Sequence, residues 1–348
     1  MKNIQKTLSR LCSFMTVSGF EHRESDNILT MLSDFGEAGR DRFGNYIVEK
    51  KCKKENAPTL VIDAHIDEIG FVVTKLLDDG FLSVTSVGGL DAHVMQSAEL
   101  EIYGKEKVYG VVGSTPPHLR LSGADEKLPK IEQLLVDTGL SQEESASVIP
   151  VGSVARFKSE LKSLANDVVC GSSLDNKICC ACALQTLARL DEDDMCFNVC
   201  VLLSLREEIG GYAGARTGVF SLSPDLVVSL DVNFASAPET RPEESAKRGG
   251  GYTVSLSAVT DRAFTKRILA LSRQTGLPHR VIAEPNDVGM NANAISLCMT
   301  GIVCADLGIP LTSMHTPVES ASLRDCDSLC RLLCALACDD TLAKEYSK

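Results

Sequence analysis

Five residues constrain this chain more than any others: Arg206-Glu207-Glu208-Ile209-Gly210. They follow an apolar run from Phe197 to Leu205 that is short, partly β-branched and bounded by charge, the pattern of a buried strand. Two adjacent carboxylates therefore stand where a strand ends and a glycine-rich turn begins. In open α/β sheets that edge is where ligands bind. Neighbouring side chains at a strand end point apart, so one glutamate can hold a metal while the other moves a proton. A Glu-Glu pair on an isolated loop is ordinary solvated surface; the rest of the chain gives this one its weight.

A second strand, Thr59 to Ala64, runs directly into His65-Ile66-Asp67-Glu68-Ile69-Gly70, and a third, Leu226 to Leu230, ends on Asp231. Asp175 stands at the start of a helix that runs to about Leu190. His315 lies in a loop between a strand at 302–307 and a final helix at 321–338. Each residue alone has an ordinary explanation: a hydrogen-bonded histidine, a helix N-cap, a strand terminus. Strand ends of one sheet converge, however, and two histidines with three carboxylates suit a borderline divalent metal such as Zn²⁺. Five ligands exceed one tetrahedral ion and fit two ions that share a bridging carboxylate, about 3.5–4 Å apart. Metal-bound histidines usually donate their second ring N–H to a carboxylate or carbonyl, and Asp67 is placed to reach back to His65. The remaining histidines, His22, His93, His118 and His279, take ordinary structural roles.

Between Gly70 and about residue 162 the texture changes to short alternating strands separated by glycines, at 71–75, 81–87, 99–103, 108–112 and 153–157. This reads as a small β domain, 69–164, inserted into a larger α/β domain formed by 1–68 and 165–348. Lys127 to Thr138 reads as a short helix within it. A helix is expected over about 262–274, a strand near 280–284 and a further helix from Asn291.

The length of 348 residues suits one large domain with a smaller one attached. A net charge of −12 argues against a nucleic-acid partner and against anionic membranes. No apolar run approaches the ~20 residues of a bilayer span, and the first residues carry no secretory pattern. Fourteen cysteines then point to free thiols in a reducing cytoplasm. Cys326, Cys330, Cys334 and Cys338 form one helical stripe, and with Cys179, Cys180 and Cys182 they read as small buried apolar residues.

These residues resemble the TET-type aminopeptidases, family forty-two of the metallopeptidases, also called glutamyl aminopeptidases and sometimes misnamed endoglucanases. The resemblance is carried by Ala64-His65-Ile66-Asp67-Glu68-Ile69-Gly70, Asp175-Asn176-Lys177, Glu207-Glu208-Ile209-Gly210, Asp231-Val232 and Met314-His315-Thr316-Pro317-Val318-Glu319. Val87-Gly88-Gly89-Leu90-Asp91 and the segment from Gly110 to Leu119 extend it into the insertion, so it spans the chain in order. It implies a three-layer α/β/α zinc-peptidase-like catalytic domain with an inserted, barrel-like β domain that helps build a homo-oligomer, often a dimer-built dodecamer. It implies that His65 and Asp231 bind one metal, that Glu208 and His315 bind the other, and that Asp175 bridges them ahead of a cis peptide bond. Glu207 is then the general base, and short peptides are the substrates. Zinc is the expected ion, with cobalt or manganese as alternatives.

Three positions depart from the family pattern. Lys177 replaces an arginine, Met290-Asn291 replaces Thr-Asp, and Ser153 stands where an aspartate is usual. Three other functions compete with the aminopeptidase. A dinuclear deacylase or dipeptidase would share the ligands. A glycosidase would need two carboxyls ~5–9.5 Å apart and is poorly served by a chain with no Trp and 5% aromatics. A non-catalytic metal-binding assembly protein would have no need of Glu207.

Overall fold

The strands Thr59–His65 and Asn198–Ser204 pair in parallel, and all but their first residues are buried. Buried on both faces, they carry apolar runs instead of alternation, as central parallel strands do. In the computed structural model, which describes residues 1–113, 130–158, 160–238, 240–284 and 289–346, they sit in an eleven-stranded mixed sheet. Its parallel centre runs Asn198–Ser204, Thr59–His65, Leu226–Phe234, Val303–Thr312, so their carboxyl ends share one edge. Antiparallel strands complete both sides: Tyr46–Lys50 and Glu37–Arg40 on one, Glu319–Ser322 and Val168–Gly171 on the other.

Helices cover both faces, giving the three-layer arrangement. Leu174–Arg189 packs on Thr59–His65 and against the helices Lys2–Ser13 and Leu323–Ala337. The shorter helices Ala213–Leu222 and Ala292–Ile295 pack together on the opposite face. Arg262–Gln274 forms the expected helix, capped by the Asp261 carboxylate accepting from Phe264 N–H. The cysteine stripe behaves as apolar packing: Cys326 and Cys330 are buried, and Cys330 faces the Cys182 carbonyl across the helix pair. All fourteen cysteines are unpaired.

Six strands between Gly70 and Phe157 close into a barrel around Phe71, Val84, Leu100, Ile102, Val136 and Phe157. One expected element differs. Lys127–Thr138 is not a helix over its described part: Ile131–Gln133 is a 3-10 turn and Val136–Asp137 a strand. Residues 127–129 lie outside the described residues. Leu134 and Val136 are buried while Leu135 between them is 43% exposed. That alternation fills the gap between Leu82–Val87 and Lys107–Val112, and barrel closure outweighs local helix preference. The helix Gln142–Val148 went unforeseen, although Ser141 and Glu144 spell its capping box in the sequence.

Arg156 fastens the barrel to the α/β part. It is 3% exposed and sits on a barrel strand, yet Nη1 donates to the carbonyls of Cys12 and Phe14 at 3.1 and 2.7 Å. The same nitrogen lies 3.4 Å from Glu68 Oε1, which also accepts from the fully buried Lys177 Nζ at 3.1 Å. Burial alone would raise the Glu68 pKa; Lys177, Arg156 and the hydroxyl of Ser173 bring it down to about 2. Breaking such a buried arrangement by removing one partner costs about 3–5 kcal/mol. No helix among the described residues is long and apolar enough to cross a membrane.

Candidate metal centre

The shared carboxyl edge of the parallel strands gathers the site. His65 closes its strand, Glu207 and Glu208 follow the strand ending at Ser204, and Asp231 lies within Leu226–Phe234, which continues three residues further than expected. Asp175 enters from the helix on one face. The helix is irregular there: Asp175 and Asn176 have non-helical backbone angles, and the Asp175–Asn176 peptide bond is cis, as the resemblance implied. His315 arrives from the loop after Val303–Thr312.

The six side chains expected at the site meet. His65 Nε2 lies 3.2 Å from Asp175 Oδ1 and 3.5 Å from Asp231 Oδ1. His315 Nε2 lies 3.4 Å from both Asp175 Oδ2 and Glu208 Oε2. Two triads therefore form, His65–Asp175–Asp231 and Asp175–Glu208–His315, and they share Asp175 through its two different oxygens. Ligands about 2.0–2.2 Å from a tetrahedral ion stand ~3.4 Å from one another, so these edges match zinc geometry. Glu208 Oε1 is buried with no hydrogen-bond partner, which also fits an acceptor set awaiting cations. Glu207 belongs to neither triad; its Oε2 is 4.0 Å from His65 Nε2.

The electrostatics follow from crowding. Burial, then the carboxylates of Asp231, Asp175 and Asp67, push the Glu207 pKa up to about 8 against the opposing pull of His65. Glu208 is also raised well above its ordinary value, by burial first and Asp175 next. Asp175 moves the other way: burial disfavours its charge, but hydrogen bonds from His315 and His65 hold it well below the usual carboxylate range.

Asp67 reaches back to His65 and does more besides. His65 Nδ1 meets the Asp67 backbone carbonyl at 3.1 Å, while the carboxylate oxygen is 3.6 Å away. The carboxylate instead accepts the backbone N–H groups of Glu207 and Glu208 at 3.1 and 3.2 Å. It thus orients the glutamate pair, just after Arg206 turns the chain with φ +61°.

Glu319 closes the His315 motif, and nothing in its sequence spacing marks a role for it. Its Oε2 accepts Leu174 and Asp175 N–H at 2.6 and 3.1 Å, and its Oε1 accepts His315 N–H at 2.8 Å. One buried carboxylate thereby positions the loops of two histidine–aspartate partners, including His315 in its uncommon φ of +60°. The barrel supplies a wall: a Cβ on Gly89 would stand 3.4 Å from His315 Nδ1.

The departures also find places. Lys177 Nζ bonds the Phe14 carbonyl at 3.0 Å and Glu68. Ser153 is buried and donates to the Pro150 carbonyl at 2.6 Å. Asn291 is buried and donates to Asp63 Oδ2 and Ser204 Oγ, each at 2.9 Å, so the carboxylate absent at 291 stands on the neighbouring strand.

Asp63, Ser229 and Asp306 register side by side one row beneath His65 and Asp231. Asp306 is fully buried and neither carboxyl oxygen has a hydrogen-bond partner. Burial holds its pKa well above the ordinary value. A raised folded-state pKa contributes stability that is full below the unfolded pKa of ~3.9 and is lost as pH rises toward the folded one. Asp306→Asn removes this loss. Its melting temperature should exceed that of the parent by a margin that widens between pH 4 and pH 8, with up to ~1.4 kcal/mol per pH unit available. A margin independent of pH in thermal melts would contradict the argument.

A twisted α/β/α sheet with a histidine–carboxylate centre at its carboxyl edge defines a hydrolase of the metallopeptidase class. The family model for the M42 glutamyl aminopeptidases matches residues 44–332, and the chain belongs to that family of metal-dependent aminopeptidases, which hydrolyse peptide bonds. It is 29% identical over 327 residues to the lysyl aminopeptidase of Pyrococcus furiosus, covering 92% of each chain. In structure it is similar to an aminopeptidase from Desulfurococcus kamchatkensis, with a TM-score of 0.90 at 23% identity over 100% of this chain and 98% of the other. It is also similar to the Pyrococcus horikoshii TET1 peptidase, described as assembling into a tetrahedron or a large octahedral shell. That match has a TM-score of 0.83 at 25% identity over 96% of this chain and 99% of the other.

Proposed function

We propose that this aminopeptidase is dinuclear and removes N-terminal residues from short peptides. His65 and Asp231 hold one divalent ion, Glu208 and His315 the other, and Asp175 bridges them. The observation that carries this reading is the pair of triads sharing one aspartate, with edges of 3.2–3.5 Å. When bound, the ions lower the pKa of a water and polarise the scissile carbonyl. Zinc suits the donors best, with cobalt or manganese as alternatives.

Glu207 lies beside both triads and accepts the proton of the attacking water, then returns it to the leaving amine. Asp67 fixes the backbone from which Glu207 and Glu208 diverge. Two hollows meet at Met314 and His315. One, of about 480 Å³, contains the metal-ligand set; the other, of about 770 Å³, lies against the barrel wall at Gly89–Ala92 and Ile131. A peptide whose first residue sits in the former extends into the latter.

The barrel strands lie within residues 69–164, which we assign as an inserted domain between 1–68 and 165–348. Its role is to build a homo-oligomer; the shells described for the TET1 relative support this assignment. Such an assembly restricts access to short peptides. Fourteen unpaired cysteines support a cytoplasmic setting.

The test is hydrolysis of a panel of aminoacyl reporters and their N-acetylated forms, before and after chelation and with Zn²⁺, Co²⁺ or Mn²⁺ restored. The free-amine substrates should be cleaved, the acetylated ones resist, and chelation abolish turnover reversibly. Preferential cleavage of N-acyl substrates would replace the reading with a deacylase.

A further inference from the structure

The smaller hollow is lined by side chains that the metal centre does not need. We propose that the enzyme selects peptides whose first residue carries a cationic side chain, lysine or arginine, and that Glu284 recognises the charge. The inference rests on the aminopeptidase reading and deepens it.

The hollow is lined by His65, Asp175, Glu207, Glu208, Asp231 and His315, beside which the scissile bond must lie. Its lining also includes the apolar side chains of Phe234, Ile282, Met290 and Met314. It includes two acids outside the ligand set, Glu244 and Glu284, and no described lining residue is a lysine or arginine. A lysine or arginine side chain matches this combination, because its methylene stem packs on apolar surface while its charged end seeks a carboxylate.

The two glutamates differ. Glu244 is exposed and already paired with Arg241 at 2.9 Å. Glu284, the last residue of the strand His279–Glu284, is partly buried and takes part in no ion pair among the described residues. Its Oε2 is buried without a close hydrogen-bond partner, and burial raises its pKa against the lowering influence of the Ser255 hydroxyl. A desolvated carboxylate lacking a cation is costly, and a ligand that brings the cation recovers that cost. A leucyl side chain leaves the carboxylate unsatisfied, and a glutamyl side chain sets a second negative charge against it.

The deciding experiment measures kcat/KM of the metal-loaded enzyme on lysyl, arginyl, leucyl and glutamyl reporters. The proteins are the parent, Glu284→Gln, Glu284→Asp and Glu284→Lys. The parent should favour lysyl and arginyl over leucyl by roughly ten- to hundred-fold, the worth of one charge-assisted hydrogen bond. Glu284→Gln should collapse that ratio, chiefly through KM, whereas Glu284→Asp should keep a cationic preference and Glu284→Lys should turn preference toward glutamyl. A ratio taken on one preparation cancels any loss of folded enzyme. A parent that prefers leucyl or glutamyl substrates, or a lysyl-to-leucyl ratio unchanged in Glu284→Gln, overturns the assignment of Glu284. Absence of turnover on every aminoacyl substrate overturns the aminopeptidase reading, and this inference with it.

Discussion

Glu207→Gln should retain the metal content of the parent and lose roughly 10²–10⁴-fold in kcat. The amide keeps the shape of the carboxylate but cannot accept a proton, so only the transfer step is removed. The geometry separates the two properties. Glu207 stands outside both triads, its Oε2 4.0 Å from His65 Nε2, and its backbone N–H remains anchored on Asp67. Metal analysis and steady-state kinetics on the same preparation check the result. Near-normal turnover in a variant that holds both ions would remove Glu207 from the proton-transfer role.

The larger effect on binding belongs to Asp175→Ala. Because its two oxygens face His65 and His315 separately, this one truncation takes a ligand from each triad. It should lower metal content from two ions per subunit toward none and reduce activity to background. His65→Ala and His315→Ala should each weaken one ion more than the other, giving intermediate stoichiometries. Calorimetric titration with Zn²⁺ into chelated protein would resolve these cases. An Asp175→Ala protein that still binds two ions with parental affinity would disprove the bridging arrangement.

Much of this centre was legible because its ligands interrupt strong local patterns. His65, the Glu207–Glu208 pair and Asp231 follow or close apolar runs, and an apolar run that ends in an acid or imidazole marks both the strand and its ligand-bearing edge. The helix Arg262–Gln274 was readable for the same reason: its signal is local. What escaped was long-range or very short. Glu319 reaches Leu174 across 145 positions, and Arg156 reaches Glu68 across 88. Both contacts depend on which strands become neighbours, and hydrophobic periodicity carries no such information. The two-residue strand Val136–Asp137 is too short to show a period. Asp67 was placed beside its partner, but residue spacing cannot say whether its carboxylate or its own carbonyl meets the imidazole.

The hold of Arg156 on the α/β part bears on how such proteins can be recombined. The barrel leaves and rejoins the sheet domain as one loop of chain, which makes it look like a cassette that could be cut out or traded between relatives to alter assembly. Yet the guanidinium of that cassette balances a glutamate lying three residues from His65 and caps three carbonyls at the end of the first helix. Excising the cassette would leave Glu68 with Lys177 as its remaining cation and strand the Cys12 and Ser13 carbonyls, while Phe14 keeps Lys177. The tradable unit is therefore the barrel together with the helix end it caps, and a chimera that respects only the strand boundaries inherits unpaired carbonyls close to its catalytic centre.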